Sequence, residues 1–139
     1  MSIITPHLLI TDDDRAFRET LRNVFEPRGF RTSLAADGME AVDIVQRADV
    51  HLVLMDMHMP RLTGLEAARR VRDHRSDLPC VLLSGGLDKQ ILEEALRLPF
   101  YSVLAKPVTF AEVTDTVCSA LHDVYNWTPK ELSDGGIST

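Results

Sequence analysis

The stretch Leu52-Val53-Leu54-Met55, followed by Asp56, decides the fold class of this chain. Its apolar residues are continuous rather than alternating, which is typical of a strand covered on both faces. Four further short runs rich in apolar residues flank it, at 8–10, 32–35, 81–83 and 103–105. The segments between the runs are long enough for a crossover helix, which takes about 10–12 residues or more.

Those segments carry apolar residues at helical spacing. The first stripe ends at Pro27 and Gly29, which favour a helix end. This first stripe comprises Phe17, Leu21, Val24 and Phe25. The stripe between the runs at 81–83 and 103–105 comprises Ile91, Leu92, Ala95 and Leu96. Three predicted helices also begin with a capping pattern, in which a polar residue precedes a glutamate by three positions. These pairs are Asp37 with Glu40, Thr63 with Glu66, and Thr109 with Glu112.

The alternation of strands and helices predicts an α/β fold with helices on both faces of a parallel sheet. Right-handed crossovers with one reversal of winding direction give a flavodoxin-like (βα)5 arrangement, with five parallel strands in the order 2-1-3-4-5. We expect the domain to span 6–126. Glycine, serine and proline replace the periodic pattern after it, so 127–139 is predicted to be a C-terminal tail or the stub of a linker.

Composition narrows the functional classes. The 139 residues carry a net charge of −6, which argues against direct nucleic-acid binding by this chain. No apolar stretch approaches the ~18–20 residues of a membrane span, and the first residues lack a secretory pattern, so we expect a cytoplasmic protein without a membrane association. The two cysteines, Cys80 and Cys118, lack metal-ligand spacing and are expected to be reduced core thiols.

Polar residues follow four of the predicted strands. Asp12, Asp13 and Asp14 follow the first, Asp56 the third, Ser84 the fourth and Lys106 the fifth. Carboxyl ends of parallel strands meet at one edge of a sheet, where ligands bind at the reversal of strand order. Converging carboxylates repel one another, and an oxygen-rich site of this kind suits Mg²⁺. With a lysine and a hydroxyl beside it, such a site is typical of an aspartate that accepts a phosphoryl group.

Each residue also has a purely structural interpretation. An aspartate run after a strand often caps the next helix, and Asp14 is the expected cap. Asp56 alone could be a turn residue, Ser84 a structural hydroxyl and Lys106 a solvated charge. Polar residues of these types follow four strands in the expected order, and this joint occurrence favours a functional site over four unrelated structural roles.

The chain resembles the receiver domain of two-component response regulators, including the chemotaxis regulators, over about residues 6–125. The resemblance rests on five motifs in order. They are Leu8-Leu9-Ile10-Thr11-Asp12-Asp13-Asp14, Val53-Leu54-Met55-Asp56-Met57-His58-Met59-Pro60, Gly64-Leu65-Glu66, Leu82-Leu83-Ser84-Gly85 and Leu104-Ala105-Lys106-Pro107.

The resemblance implies that Asp56 accepts a phosphoryl group from a phosphohistidine on a sensor histidine kinase or a histidine phosphotransfer protein. Lys106 and Ser84 would bind the phosphoryl oxygens. The Lys106–Pro107 peptide would be cis. The domain would be a signalling module that catalyses only its own phosphorylation and dephosphorylation.

The resemblance also implies how Mg²⁺ is held. Asp13 would bind the ion directly, and Asp12 would act mainly through water. Asp56 and the backbone carbonyl of His58 would complete the protein ligands.

The chain departs from the family pattern at Val103, where a tyrosine or phenylalanine usually accompanies the switch hydroxyl. We therefore expect switching of the face made by helix 4, strand 5 and helix 5 without an aromatic rotation. That face is also the expected surface for a homodimer. The departure leaves a pseudo-receiver, an interaction domain independent of phosphorylation, as the alternative. A phosphatase is disfavoured because His58 stands where the haloacid-dehalogenase pattern has a second aspartate.

The sequence leaves open whether the chain is a stand-alone receiver or a piece of a longer protein. Its last residues, from Thr128, show no recognisable effector domain.

Overall fold

The computed structural model describes residues 5–85, 89–97 and 101–129. A parallel sheet runs in the order β2-β1-β3-β4-β5, which confirms the predicted flavodoxin-like topology. The strands are β1 His7–Thr11, β2 Arg31–Ala35, β3 Leu52–Asp56, β4 Cys80–Ser84 and β5 Tyr101–Ala105. The helices are α1 Arg15–Phe25, α2 Gly38–Arg47, α3 Gly64–His74, α4 Lys89–Leu96 and α5 Phe110–Tyr125.

The core has two layers because successive side chains of a strand point to opposite faces of the sheet. Leu8, Ile10 and Leu54 pack with α1 and α5 on one face. Leu9 and Val53 pack with α2, α3 and Ala95 of α4 on the other. The sheet is therefore covered on both faces, as the continuous apolar runs predicted.

The predicted capping patterns begin the helices. Asp14 accepts hydrogen bonds from the backbone of α1, and α3 and α5 open with complete capping boxes at Thr63 and Thr109. The reciprocal cap predicted for α2 is wrong in one half. Asp37 Oδ1 accepts the Glu40 N–H at 2.9 Å, but the Glu40 carboxylate reaches the N–H of Ala36 at 3.4 Å instead of that of Asp37.

Packing differs from the prediction at three other places. Leu96 was expected on the apolar face of α4 but is 65% exposed. Trp127, the first residue of the predicted tail, is buried with its ring 5.4 Å from that of Phe30, so the packed unit extends at least to this residue. Cys80 is a buried thiol as expected, whereas Cys118 is only partly buried. Residues 130–139 of the predicted tail, and the side chains of 91 and 92, lie outside the described residues.

The amino end of the sheet carries a polar network that the sequence did not predict. The backbone N–H of His7 donates to Nδ1 of His51 at 2.8 Å, and His7 Nε2 lies 2.7 Å from Ser33 Oγ. The Tyr125 hydroxyl donates to the His51 carbonyl at 2.7 Å. This network ties β1, β2 and β3 to the end of α5, far along the strands from the predicted site.

Within the described ranges, every helix is too short or too polar to span a membrane.

Candidate functional site

Strand alternation places three of the predicted residues on one face of the sheet. Ile10, Leu54 and Leu104 all pack in the layer of α1 and α5. Asp12, Asp56 and Lys106 each follow one of these residues by two positions, so the strand period directs them to the same side at the carboxyl edge. The ammonium of Lys106 therefore reaches both carboxylates, although its strand is not adjacent to β1 or β3.

Asp56 lies at the centre of this group and is only 4% exposed. Its Oδ1 accepts hydrogen bonds from Lys106 Nζ and from the backbone N–H of His58, both at 3.2 Å. The Asp12 Oδ2 atom lies 3.6 Å from the same Lys106 Nζ. A buried carboxylate requires such partners, because desolvation disfavours its charge.

Asp13 completes a carboxylate cluster with Asp12 and Asp56. One oxygen of each lies within 4.8 Å of the others. Burial raises the pKa of Asp12, and the charges of Asp56 and Asp13 raise it further against the opposing effects of the Asp14 backbone and Lys106. Among the described residues, three carboxylates thus share the positive charge of a single lysine, Lys106, which contacts two of them.

The cluster meets the requirements of a hard divalent cation. Its donors are all oxygens, which Mg²⁺ prefers. In the described part of the chain, the buried Oδ2 of Asp12 has no hydrogen-bond partner, whereas its Oδ1 accepts the Asp14 N–H at 2.8 Å. The cluster opens into a cleft of about 640 Å³ that Gly85, Pro107 and other residues line, so an ion and a phosphoryl group have room.

Gly64 holds the backbone beneath Asp56 in place. Its N–H donates to the Met57 carbonyl at 3.0 Å. A Cβ atom at this position would lie 2.2 Å from the Asp56 carbonyl oxygen. This contact is with backbone, which cannot rotate away, so only glycine allows α3 to begin so close to the carboxyl end of β3.

The comparison with known proteins agrees with this geometry. Residues 8–118 match the family described as response regulator receiver domain. The chain belongs to this family. Among curated relatives, the receiver domain is similar to response regulator MprA of Mycobacterium sp. (strain KMS), at 43% identity over 77 residues. That match covers 55% of this chain and 34% of the relative, so it spans about a third of that protein's length.

Solved structures support the fold of the receiver domain. A CheY-like receiver domain protein from Methanospirillum hungatei JF-1 has a TM-score of 0.82 at 20% identity, over 86% of this chain and 96% of that one. Chemotaxis protein CheY4 of Vibrio cholerae has a TM-score of 0.78 at 24% identity, over 85% of this chain and all (100%) of its own. At this level of identity the likeness concerns the fold alone.

The remaining predicted residues of the receiver domain lie at the same edge or close to it. Ser84 is buried at the end of β4, and its carbonyl accepts the Lys106 N–H at 2.7 Å. The His58 side chain is exposed. Val103 is partly buried and packs against the layer of α2 and α3. The Lys106–Pro107 peptide is cis, as expected.

Two residues that the sequence analysis gave no role also contact the site. The Phe17 ring, predicted only as part of an apolar stripe, has its centroid 5.3 Å from Lys106 Nζ. The Arg18 guanidinium donates to the Asp12 carbonyl at 2.7 Å. Both lie in the first turn after the Asp14 cap, and this proximity to the aspartate run was the sequence pattern that could have identified them.

Proposed function

We propose that this receiver domain accepts a phosphoryl group on Asp56 from a phosphohistidine of a sensor histidine kinase or a histidine phosphotransfer protein. The observation that carries the proposal is the buried Asp56 carboxylate, which meets Lys106 Nζ at 3.2 Å and shares its cleft with two further carboxylates. Phosphoryl transfer needs chiefly positioning and charge neutralisation, and this arrangement provides a fixed oxygen and a cation.

In the proposed reaction an Asp56 carboxylate oxygen attacks the phosphorus atom. The bond from phosphorus to the donor imidazole nitrogen breaks, that nitrogen keeps the electron pair, and an acyl phosphate forms on Asp56. Lys106 offsets the charge of the phosphoryl oxygens from its position beside the carboxylate. The domain would act only on itself, in phosphorylation and in the later hydrolysis.

The ligands proposed for Mg²⁺ are Asp13 directly, Asp12 mainly through water, Asp56, and the backbone carbonyl of His58. The all-oxygen donor set supports this assignment, as does the Oδ2 of Asp12, which accepts no hydrogen bond within the described residues. The ion would offset the excess negative charge and orient the oxygens of the incoming phosphoryl group.

We propose further that Ser84 binds a phosphoryl oxygen and shifts the start of α4. The surface formed by α4, β5 and α5 would then change its affinity for a partner or a second copy. Val103 stands where the family usually has an aromatic residue, and its packed side chain supports a switch without aromatic rotation.

Intact-protein mass spectrometry tests the proposal. After incubation with Mg²⁺ and acetyl phosphate, the wild type should gain the mass of one phosphoryl group, and Asp56→Asn should gain none. Asp43→Asn, at an exposed aspartate of α2, is the matched control and should behave as the wild type does. Chelation of the metal should abolish the gain.

The pseudo-receiver alternative predicts a different outcome. The wild type would gain no mass, and a partner captured through the α4, β5 and α5 surface would bind wild type and Asp56→Ala equally. A mass gain that Asp56→Asn retains would contradict the assignment of the acceptor.

A further inference from the structure

The ammonium of Lys106 has three close neighbours. Asp56 Oδ1 lies at 3.2 Å, Asp12 Oδ2 at 3.6 Å and the centroid of the Phe17 ring at 5.3 Å. The lysine side chain is 30% exposed, so water does not fully surround the charge. A cation within about 6 Å of an aromatic centroid is attracted by the negative face of the ring.

The position of Phe17 is fixed by its surroundings. Asp14 Oδ1 accepts the N–H of Ala16 at 2.9 Å and that of Phe17 at 3.3 Å, which sets the first turn of α1. The ring is half-buried, packs against the layer of α1 and α5, and lines the cleft above Asp56. The ring therefore contacts both the core layer and the ammonium of Lys106.

We propose that Phe17 is a positioning residue for Lys106, holding the ammonium by a cation–π contact between Asp12 and Asp56. Lysine has a long, flexible stem, so two carboxylate contacts alone leave the amine some freedom to move. The ring adds a third contact that restricts the amine, so that the amine already stands where the phosphoryl oxygens arrive. The kinetic part of this inference rests on the proposed function of Asp56.

Fluorinated phenylalanines separate this role from simple packing. Fluorine atoms weaken the negative face of the ring while its shape changes little. A series at position 17 with one, two and three fluorines should progressively slow phosphorylation of Asp56 by acetyl phosphate, to a total of roughly two- to fivefold. Phe17→Leu should slow it at least as much, and Phe17→Tyr should restore most of the rate.

Phe110→Leu is the matched control, because Phe110 is 45% exposed on α5. It should leave the rate unchanged. A rate that falls in Phe17→Leu but stays constant across the fluorinated series would make Phe17 a packing residue and overturn the proposal.

A double-mutant cycle tests the contact without phosphorylation. The unfolding constants of wild type, Phe17→Leu, Lys106→Met and the double variant should show a coupling of roughly two- to fivefold. If the wild type accepts no phosphoryl group, the proposed function fails while the cycle still decides the contact. Absence of coupling would overturn the inference even in a domain that is phosphorylated.

Discussion

Acidification should destabilise the amino end of the sheet, where His7 and His51 meet. His51 Nδ1 accepts the backbone N–H of His7 at 2.8 Å, so this nitrogen carries no proton in the folded chain. Burial lowers the pKa of both histidines below the ordinary 6.5. Arg31 lowers both further, Arg75 lowers that of His51, and Asp49 acts in the opposite direction.

The sign and size of the effect follow from these shifts. Because the folded pKa values are lowered, the unfolded chain takes up protons first as the pH falls through 6.5. The stability is therefore complete above that pH and is lost below it. Each histidine that stays neutral in the folded chain lowers the free energy of unfolding by up to about 1.4 kcal/mol per pH unit.

Urea unfolding near pH 7.5 and near pH 5.5 measures this loss. His51→Asn keeps an acceptor at the place of Nδ1 but cannot be protonated. Between these two conditions it should lose less stability than the wild type, by up to about 1.4 kcal/mol. His74→Gln, at an exposed histidine of α3, is the control and should lose as much as the wild type.

The comparison between variants is needed because Asp12 acts in the opposite sense. Its raised pKa means that the folded chain takes up a proton before the unfolded chain does, which adds stability as the pH falls. This contribution is common to all three proteins and cancels in their differences. Equal losses in His51→Asn and wild type would refute the reasoning.

Three further predictions concern packing and backbone conformation. Gly64→Ala should lower the free energy of unfolding by about 3 kcal/mol and prevent phosphorylation, because its Cβ would displace the Asp56 backbone. Gly38→Ala is the control, because its Cβ would meet side chains, at 2.9 Å and beyond, rather than backbone. It should lower the free energy of urea unfolding by less, and the variant should still be phosphorylated. Arg61→Gly should raise the free energy of unfolding by about 0.5–1 kcal/mol in the same assay, because Arg61 has a φ of 69°. Trp127→Ala should lower the free energy of unfolding by about 3 kcal/mol, because the side chain is buried. Urea unfolding should here be followed by circular dichroism, since the variant lacks the only tryptophan of the chain and therefore its fluorescence.

The sequence predicted the carboxyl edge well because simple periodic rules govern it. An apolar run that ends in Asp56 specifies both a buried strand and the edge at which the carboxylate lies. The same reasoning brought Asp12 and Lys106 together across positions that are distant along the chain, and the structure joins all three by contacts of 3.6 Å or less. The residues that cap helices could also be predicted, because a cap and its partner lie within a few positions of one another.

The contacts that sequence reasoning missed depend on side-chain packing between distant elements. No local pattern places His51 Nδ1 against the His7 backbone, since that requires the register of β1 and β3. The glycine- and serine-rich end of the chain suggested a tail, but Trp127 is buried in the layer of α1 and α5, where its ring packs against that of Phe30, a residue far from it in the sequence. Leu96 is the last residue of α4, and its side chain is exposed. Apolar periodicity alone does not show at which residue a helix stops packing against the sheet.

Strand alternation also explains how a phosphoryl group on Asp56 would act on both layers of the molecule. Asp56 and Lys106 follow residues of the α1 and α5 layer by two positions, whereas Ser84 follows Leu82, which packs in the layer of α2 and α3. The two groups proposed to bind the phosphoryl oxygens thus belong to opposite faces of one sheet. A group that drew Ser84 towards the Asp56 side would pull the end of β4 across the sheet edge. Since α4 follows that end, its movement would be the expected consequence, and an aromatic side chain at position 103 would not be required.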